Sequence, residues 1–186
     1  MSSARRLRSA RKTAERLLVL CAACAVAGDG ALRKSIRPWL KKQGLWSAAS
    51  PAEKSFLEAA RSTRKDRINF SWQAEAVHVL GWALGLVPQL AAPSAQASTR
   101  DILGQVPAPG ASTAAFLRKA RLRPAEEIDA AAESLYQAHW SCRDADLNGR
   151  PEPNGYDIEV VQERHRAVNW LIRYGNADWD DVATDT

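Results

Sequence analysis

Apolar residues recur every three or four positions along most of the chain, and no segment alternates with the period of two that a half-buried strand needs. The pattern predicts an all-α protein. Leu7, Ala14, Leu18, Cys21 and Ala25 trace a first helix, with Arg5, Arg8, Arg11 and Lys12 largely elsewhere on its surface and Gly28-Asp29-Gly30 as its stop. A second short helix spans about Leu32 to Gln43, bent or divided at Pro38 and ended by Gly44. Ser50-Pro51-Ala52-Glu53 starts a third, because Ser can cap, Pro suits the first helical position and Glu can reach back to the cap. Phe56, Leu57 and Ala60 form its apolar side.

Ser71 reads as the cap of a segment from Trp72 to Val87 that is apolar all round, the mark of a central, buried helix. Four prolines, Pro88, Pro93, Pro107 and Pro109, make 88–111 a loop region rich in Pro, Ala and Ser, with room for a turn or two around Ser98–Gly104. Ser112 to Arg121 is a short helix. Pro124 opens a long one, with Glu126 and Glu127 in the first turn, where the helix dipole favours acids. Its stripe is Ile128, Ala132, Leu135, His139 and Cys142. The last helix runs from about Asp157 to Tyr174 and stops at Gly175, leaving an acidic tail, 175–186. The expectation is a single domain over 1–186: an irregular orthogonal bundle of about seven helices with little or no sheet.

Composition changes this picture in two places. Seven Trp in 186 residues points to an aromatic core. The net charge of +5 hides a segregation: residues 1–42 carry eleven Lys/Arg against Glu15 and Asp29, while 175–186 hold four Asp and no base. Base concentrated at one end, rather than spread over a groove-facing surface, argues against a nucleic-acid binder. The basic start followed by Leu17 to Ala27 mimics a signal peptide over 1–27, but Glu15 interrupts it and the basic segment is helically patterned, so we expect a retained helix and a cytoplasmic protein. The Trp72–Val87 segment is too short to cross a bilayer and is interrupted by Glu75 and His78.

Candidate chemistry is sparse. Cys21-Ala-Ala-Cys24 has redox or zinc spacing, yet no second pair follows, and three apart on one helix the thiols read as small buried side chains. Asp144-Ala-Asp146-Leu-Asn148-Gly149 opens like a calcium loop, but Gly155 stands where the bidentate Glu belongs. No metal or cofactor is expected. Glu75 sits on an apolar stripe, and a buried carboxylate must be paired. Arg164 and His165 fall on the semi-apolar side of the last helix, while Glu163 can face water; His139 and Arg143 lie four apart near the end of the long one. One reading is a buried polar network in which inward Arg164 and Arg143 meet Glu75, Asp144 or the tail acids Asp178, Asp180, Asp181 and Asp185, pinning the tail. The other makes Glu75, His139 and His165 a general acid–base cluster, with Arg143 binding an anion. Trp39, Trp46 and Trp179, each near a helix end or in the tail, are candidate partner-binding anchors.

Several strings together resemble a bacterial family catalogued as domain of unknown function 4272. They are Gly44-Leu45-Trp46, Phe70-Ser71-Trp72-x-x-Glu75-Ala76, Trp82-Ala83-Leu84-Gly85 and His139-Trp140-x-x-Arg143-Asp144-Ala145. Glu163-Arg164-His165-x-Ala167-x-Asn169-Trp170-Leu171 and Trp179-Asp180-Asp181-Val182-x-Thr184-Asp185-Thr186 continue the series. Gln73 departs from it, standing where Arg would be expected. The resemblance spans nearly the whole chain and implies a helical fold but no activity. Small size, segregated charge and the lack of a catalytic motif suggest a non-enzymatic module that binds another protein, a toxin-neutralising immunity protein being one concrete form. A small hydrolase-like enzyme using Glu75, His139 and His165 is the alternative.

Overall fold

The computed structural model describes residues 7–186. Met1–Arg6, and with them Arg5 and the start of the signal-peptide-like stretch, lie outside the described residues. Eight α-helices follow in order: α1 Ala10–Gly28, α2 Arg33–Lys42, α3 Pro51–Glu58, α4 Arg64–Ala83, α5 Arg100–Leu103, α6 Ala114–Lys119, α7 Ala125–Leu147 and α8 Ile158–Leu171. No strand occurs among the described residues. The protein is an irregular all-α bundle.

Local chemistry accounts for the helix ends. Ser9 caps α1 by accepting from the Lys12 N–H. Ser50 and Glu53 at the start of α3 cap one another's backbones reciprocally. α4 begins eight residues before Trp72, at Arg64, not after Ser71. The hydroxyl of Thr63 accepts from Asp66 N at 3.0 Å and the Asp66 carboxylate accepts from Thr63 N at 2.9 Å, while Ser71 lies within the helix and donates to Ile68 O. The first two turns are mostly exposed and polar, so they carry no apolar period to reveal them. α4 also ends at Ala83, short of Val87. Gly85 adopts φ +75°, Leu86 N donates to Gly81 O and Gly85 N to Trp82 O, a Schellman stop that glycine alone adopts without strain. Arg123 completes this end, donating to the carbonyls of Trp82, Val87 and Pro88. Pro38 sits inside α2 without dividing it, on an exposed side where water can hydrate the freed carbonyl.

α1 packs along α4, α4 against α8, and α8 against α7. Leu17, Leu20, Val79, Leu80, Ile128, Leu135, Val168 and Leu171 form the larger apolar cluster. Leu18, Val19, Ile36, Leu40, Leu45 and Leu57 form the second, between α1, α2 and α3. α1 is thus as central as α4. Gly81 lets the loop approach α4: a Cβ there would lie 2.5 Å from Cδ1 of Ile102 on α5, so the close fit of α5 depends on the missing side chain. Among the described residues no helix is long and apolar enough to cross a membrane.

Candidate functional site

Three polar constellations are built on this frame. In the first, Arg164 of α8 and Glu75 of α4 face each other where the two helices pack, both fully buried. Arg164 Nε donates to Glu75 Oε2 at 2.8 Å. The remaining groups reach the 88–99 loop: Arg164 donates to Ala91 O at 2.5 Å and to Ala95 O at 3.4 Å, and Ala97 N donates to the second Glu75 oxygen at 2.8 Å. A buried charge pair is tolerated when its leftover donors and acceptors are also satisfied, and here loop backbone satisfies them. His78, one turn after Glu75, is pushed down to about 4 by burial and by the nearby Arg164 guanidinium.

In the second, His139 of α7 and His165 of α8 meet with Nδ1 atoms 3.0 Å apart. The side-chain amide of Asn169 lies 3.1 Å from His165 Nε2 and donates to Ala183 O at 3.0 Å. A carbonyl only accepts, so the amide nitrogen faces the tail and its other hydrogen points to His165 Nε2. His165 then carries its proton on Nδ1 and donates to His139, which is protonated on Nε2. Burial and the neighbouring His139 push His165 down to about 4, against the pull of Asp185; burial and Arg143 lower His139. A small cavity of about 190 Å³ opens beside His165, Asn169, Tyr174 and Asp185. Neither Glu75 nor His139 lines it. The acid–base constellation of Glu75, His139 and His165 is therefore divided, with Glu75 sealed under the loop and both its oxygens engaged.

The third lies between α1, α3 and the tail, and sequence reasoning missed its centre. Arg16 and Glu53 form a buried ion pair through Nη2 and Oε2, and Arg16 donates to Ala48 O at 3.0 Å. Burial lowers the Arg16 pKa, with Glu53 opposing. The guanidiniums of Arg16 and Arg166 both lie over the Trp179 ring, at 4.7 and 4.8 Å, and Trp179 meets Trp170 edge to face at 5.4 Å. Glu53 was legible only as a capping residue, since its partner lies 37 positions away.

The other predicted residues separate. Arg143 does not turn inward: it is exposed and pairs with Asp146 at 3.5 Å. Asp144 pairs with Arg150 rather than with the core, at the surface. Glu163 lies 3.5 Å from Arg166 and its pKa is raised by burial. Asp180 accepts from Ala52 N at 2.9 Å and so does tie the tail, but to α3; Asp185 accepts from Tyr174 at 3.2 Å. Trp39 and Trp179 are buried, Trp39 donating to Ala111 O at 2.8 Å, so neither is a free anchor. Trp46 is half-buried under Lys41. The exposed aromatics are instead Tyr136 and Trp140 on α7, 38 and 48 % exposed, and Tyr174 beyond α8, 45 % exposed; Leu147 at the end of α7 is 78 % exposed. Among the described residues no three His, Cys, Asp or Glu side chains are grouped to hold a metal ion.

A family model described as a domain of unknown function (DUF4272) matches residues 2–182, nearly the whole chain. The chain belongs to this family. No curated protein and no solved structure matches it. The strings by which the chain resembles the DUF4272 family supply both the buried and the displayed features. Glu75, Arg164, His165 and Asn169 build the interior contacts, and Trp179-Asp180 docks the tail. His139-Trp140 does both, one side chain inward and the next outward.

Proposed function

We propose that the protein is a non-enzymatic module that binds another protein, and that α7 carries the contact face. One observation supports this above the rest. Tyr136, Trp140, Arg143 and Leu147 are spaced four, three and four apart, which places them on a single face of α7, and all four are exposed. Tyr, Trp and Arg are the residue types that dominate binding energy at protein interfaces. The face has relief: Trp140, Pro151 and Pro153 border one cleft of about 380 Å³, and Arg143, Ile158 and Gln162 border another of about 330 Å³. Such a ridge between clefts suits an amphipathic helix with apolar anchors at matching spacing. A bacterial toxin is one partner of this kind, and the immunity-protein reading is its concrete form. Three free thiols fit a cytoplasmic setting.

The test is affinity purification from the native cell of the parent chain beside Trp140→Ala and Leu147→Glu. A stoichiometric partner is expected with the parent chain and is lost with either variant, each of which melts within a few degrees of it, as surface substitutions do. A partner retained by both variants, or size-exclusion behaviour showing that the face is covered only by a second copy of this chain, overturns the proposal.

A further inference from the structure

A larger cavity lies away from α7. It is an open cleft of about 650 Å³ between the start of α1, the 47–51 turn with α3, and the tail, a size that suits a small-molecule or short-peptide ligand. Its charges are sorted by element. Of the charged side chains lining it, Glu15 is taken by Arg11 and Arg16 by Glu53. That leaves Arg8, Lys12 and Lys54 on the α1 and α3 side and Asp178, Asp180 and Asp181 on the tail side, and none of these six forms an ion pair among the described residues. Arg8 is held in place by the carbonyls of Trp170 and Ala177 at 2.8 and 2.6 Å. Asp180 is held by Ala52 N. Arg8 and Asp180 are therefore held in place, and Asp178 acts on the Arg8 guanidinium without forming an ion pair with it. Trp179 lines the same cavity, 3 % exposed, and its indole N–H has no hydrogen-bond partner among the described residues.

We infer that this cavity binds a zwitterionic ligand of the amino-acid or short-peptide class, its carboxylate toward Arg8, Lys12 and Lys54 and its ammonium group toward Asp178 and Asp181. A simple anion would meet the three tail acids and a simple cation the three bases; only a ligand carrying both charges relieves both walls. An extended tripeptide carries its two terminal charges roughly 10 Å apart.

The full chain, labelled with nitrogen-15, is titrated with trialanine, N-acetyl-trialanine and trialanine amide at constant ionic strength, following the seven indole N–H signals; Trp179→Phe identifies the one that matters. Trialanine is expected to move the Trp179 signal saturably, with each capped form binding roughly tenfold more weakly, the worth of one charge-assisted contact. Lys12→Ala with Asp178→Asn, both at exposed positions, removes the difference between capped and free peptide while leaving the melting temperature unchanged. Three results overturn the inference: no saturable movement with trialanine, equal affinity for the free and capped forms, or unchanged selectivity in the double variant.

Discussion

Two buried guanidinium–carboxylate pairs hold this molecule, and they differ in what surrounds them. Arg164 and Glu75 spend every side-chain group on a partner, because the 88–99 loop brings main-chain groups of Ala91, Ala95 and Ala97 against them. Arg16, in its pair with Glu53, is covered by the ring of Trp179 instead. An indole face attracts the positive charge but accepts no directed hydrogen bond from the guanidinium edge, so Arg16 Nε and Glu53 Oε1 are left without partners. The first pair is closed with backbone, and neither of its residues lines any of the clefts described above. The second is closed with an aromatic lid and borders the 650 Å³ cleft, which Arg16 and Trp179 line. The comparison also explains the Ala-rich composition of the loop: small side chains let its carbonyls and N–H groups reach a charge to which, among the described residues, no loop side chain is hydrogen-bonded.

The sharpest way to break this contrast is to remove one partner of the closed pair. Arg164→Met or Glu75→Ala should cost about 3–5 kcal/mol in urea unfolding, because an uncompensated charge stays buried, and the 88–99 loop should become open to limited proteolysis. The double change Arg164→Met with Glu75→Leu should recover part of that loss. If either single variant stays within about 1 kcal/mol of the parent chain, the pair is not the lock described.

Arg16→Met should cost less, about 2 kcal/mol, since Glu53 keeps the Ser50 N–H and part of the penalty is already present in the parent chain. Its clearer signature is optical. Trp179 loses one of its two cationic neighbours, and tryptophan emission should move to longer wavelength; an unchanged spectrum contradicts the lid.

The remaining effect, on pH dependence, concerns the imidazoles that border the closed pair and the tail. His78 and His165 are held down to about 4 in the folded chain, from an ordinary 6.5, first by burial. The unfolded chain takes up these protons first. Their contribution to stability is therefore complete above about pH 6.5, is lost as the pH falls toward 4, and changes little below that. Melting temperatures measured from pH 7 to pH 4 should fall, and replacing His78 and His165 with Gln should flatten the decline. A slope unchanged by both replacements assigns it to other groups.

The sequence by itself determined the helical class, most helix boundaries marked by a local stop or cap, and the need for a partner at Glu75. Ser50, Pro51 and Glu53 are a signal read within four residues, and the cost of an unpaired carboxylate on an apolar stripe is independent of what pairs it. It also placed Arg164 on an inward side. Only the tertiary structure decided the partners. Arg143 follows inward-facing Cys142 by one position, and the 100° turn between them carries it into solvent. Arg16 and Glu53, Trp179 and its two arginines, and His139 and His165 meet across separations that leave no periodic trace. Burial of Trp179 rather than Trp140 has the same cause: whether a tail folds back or a helix face is left uncovered depends on where distant helices stop, and helical spacing records only which residues share a face.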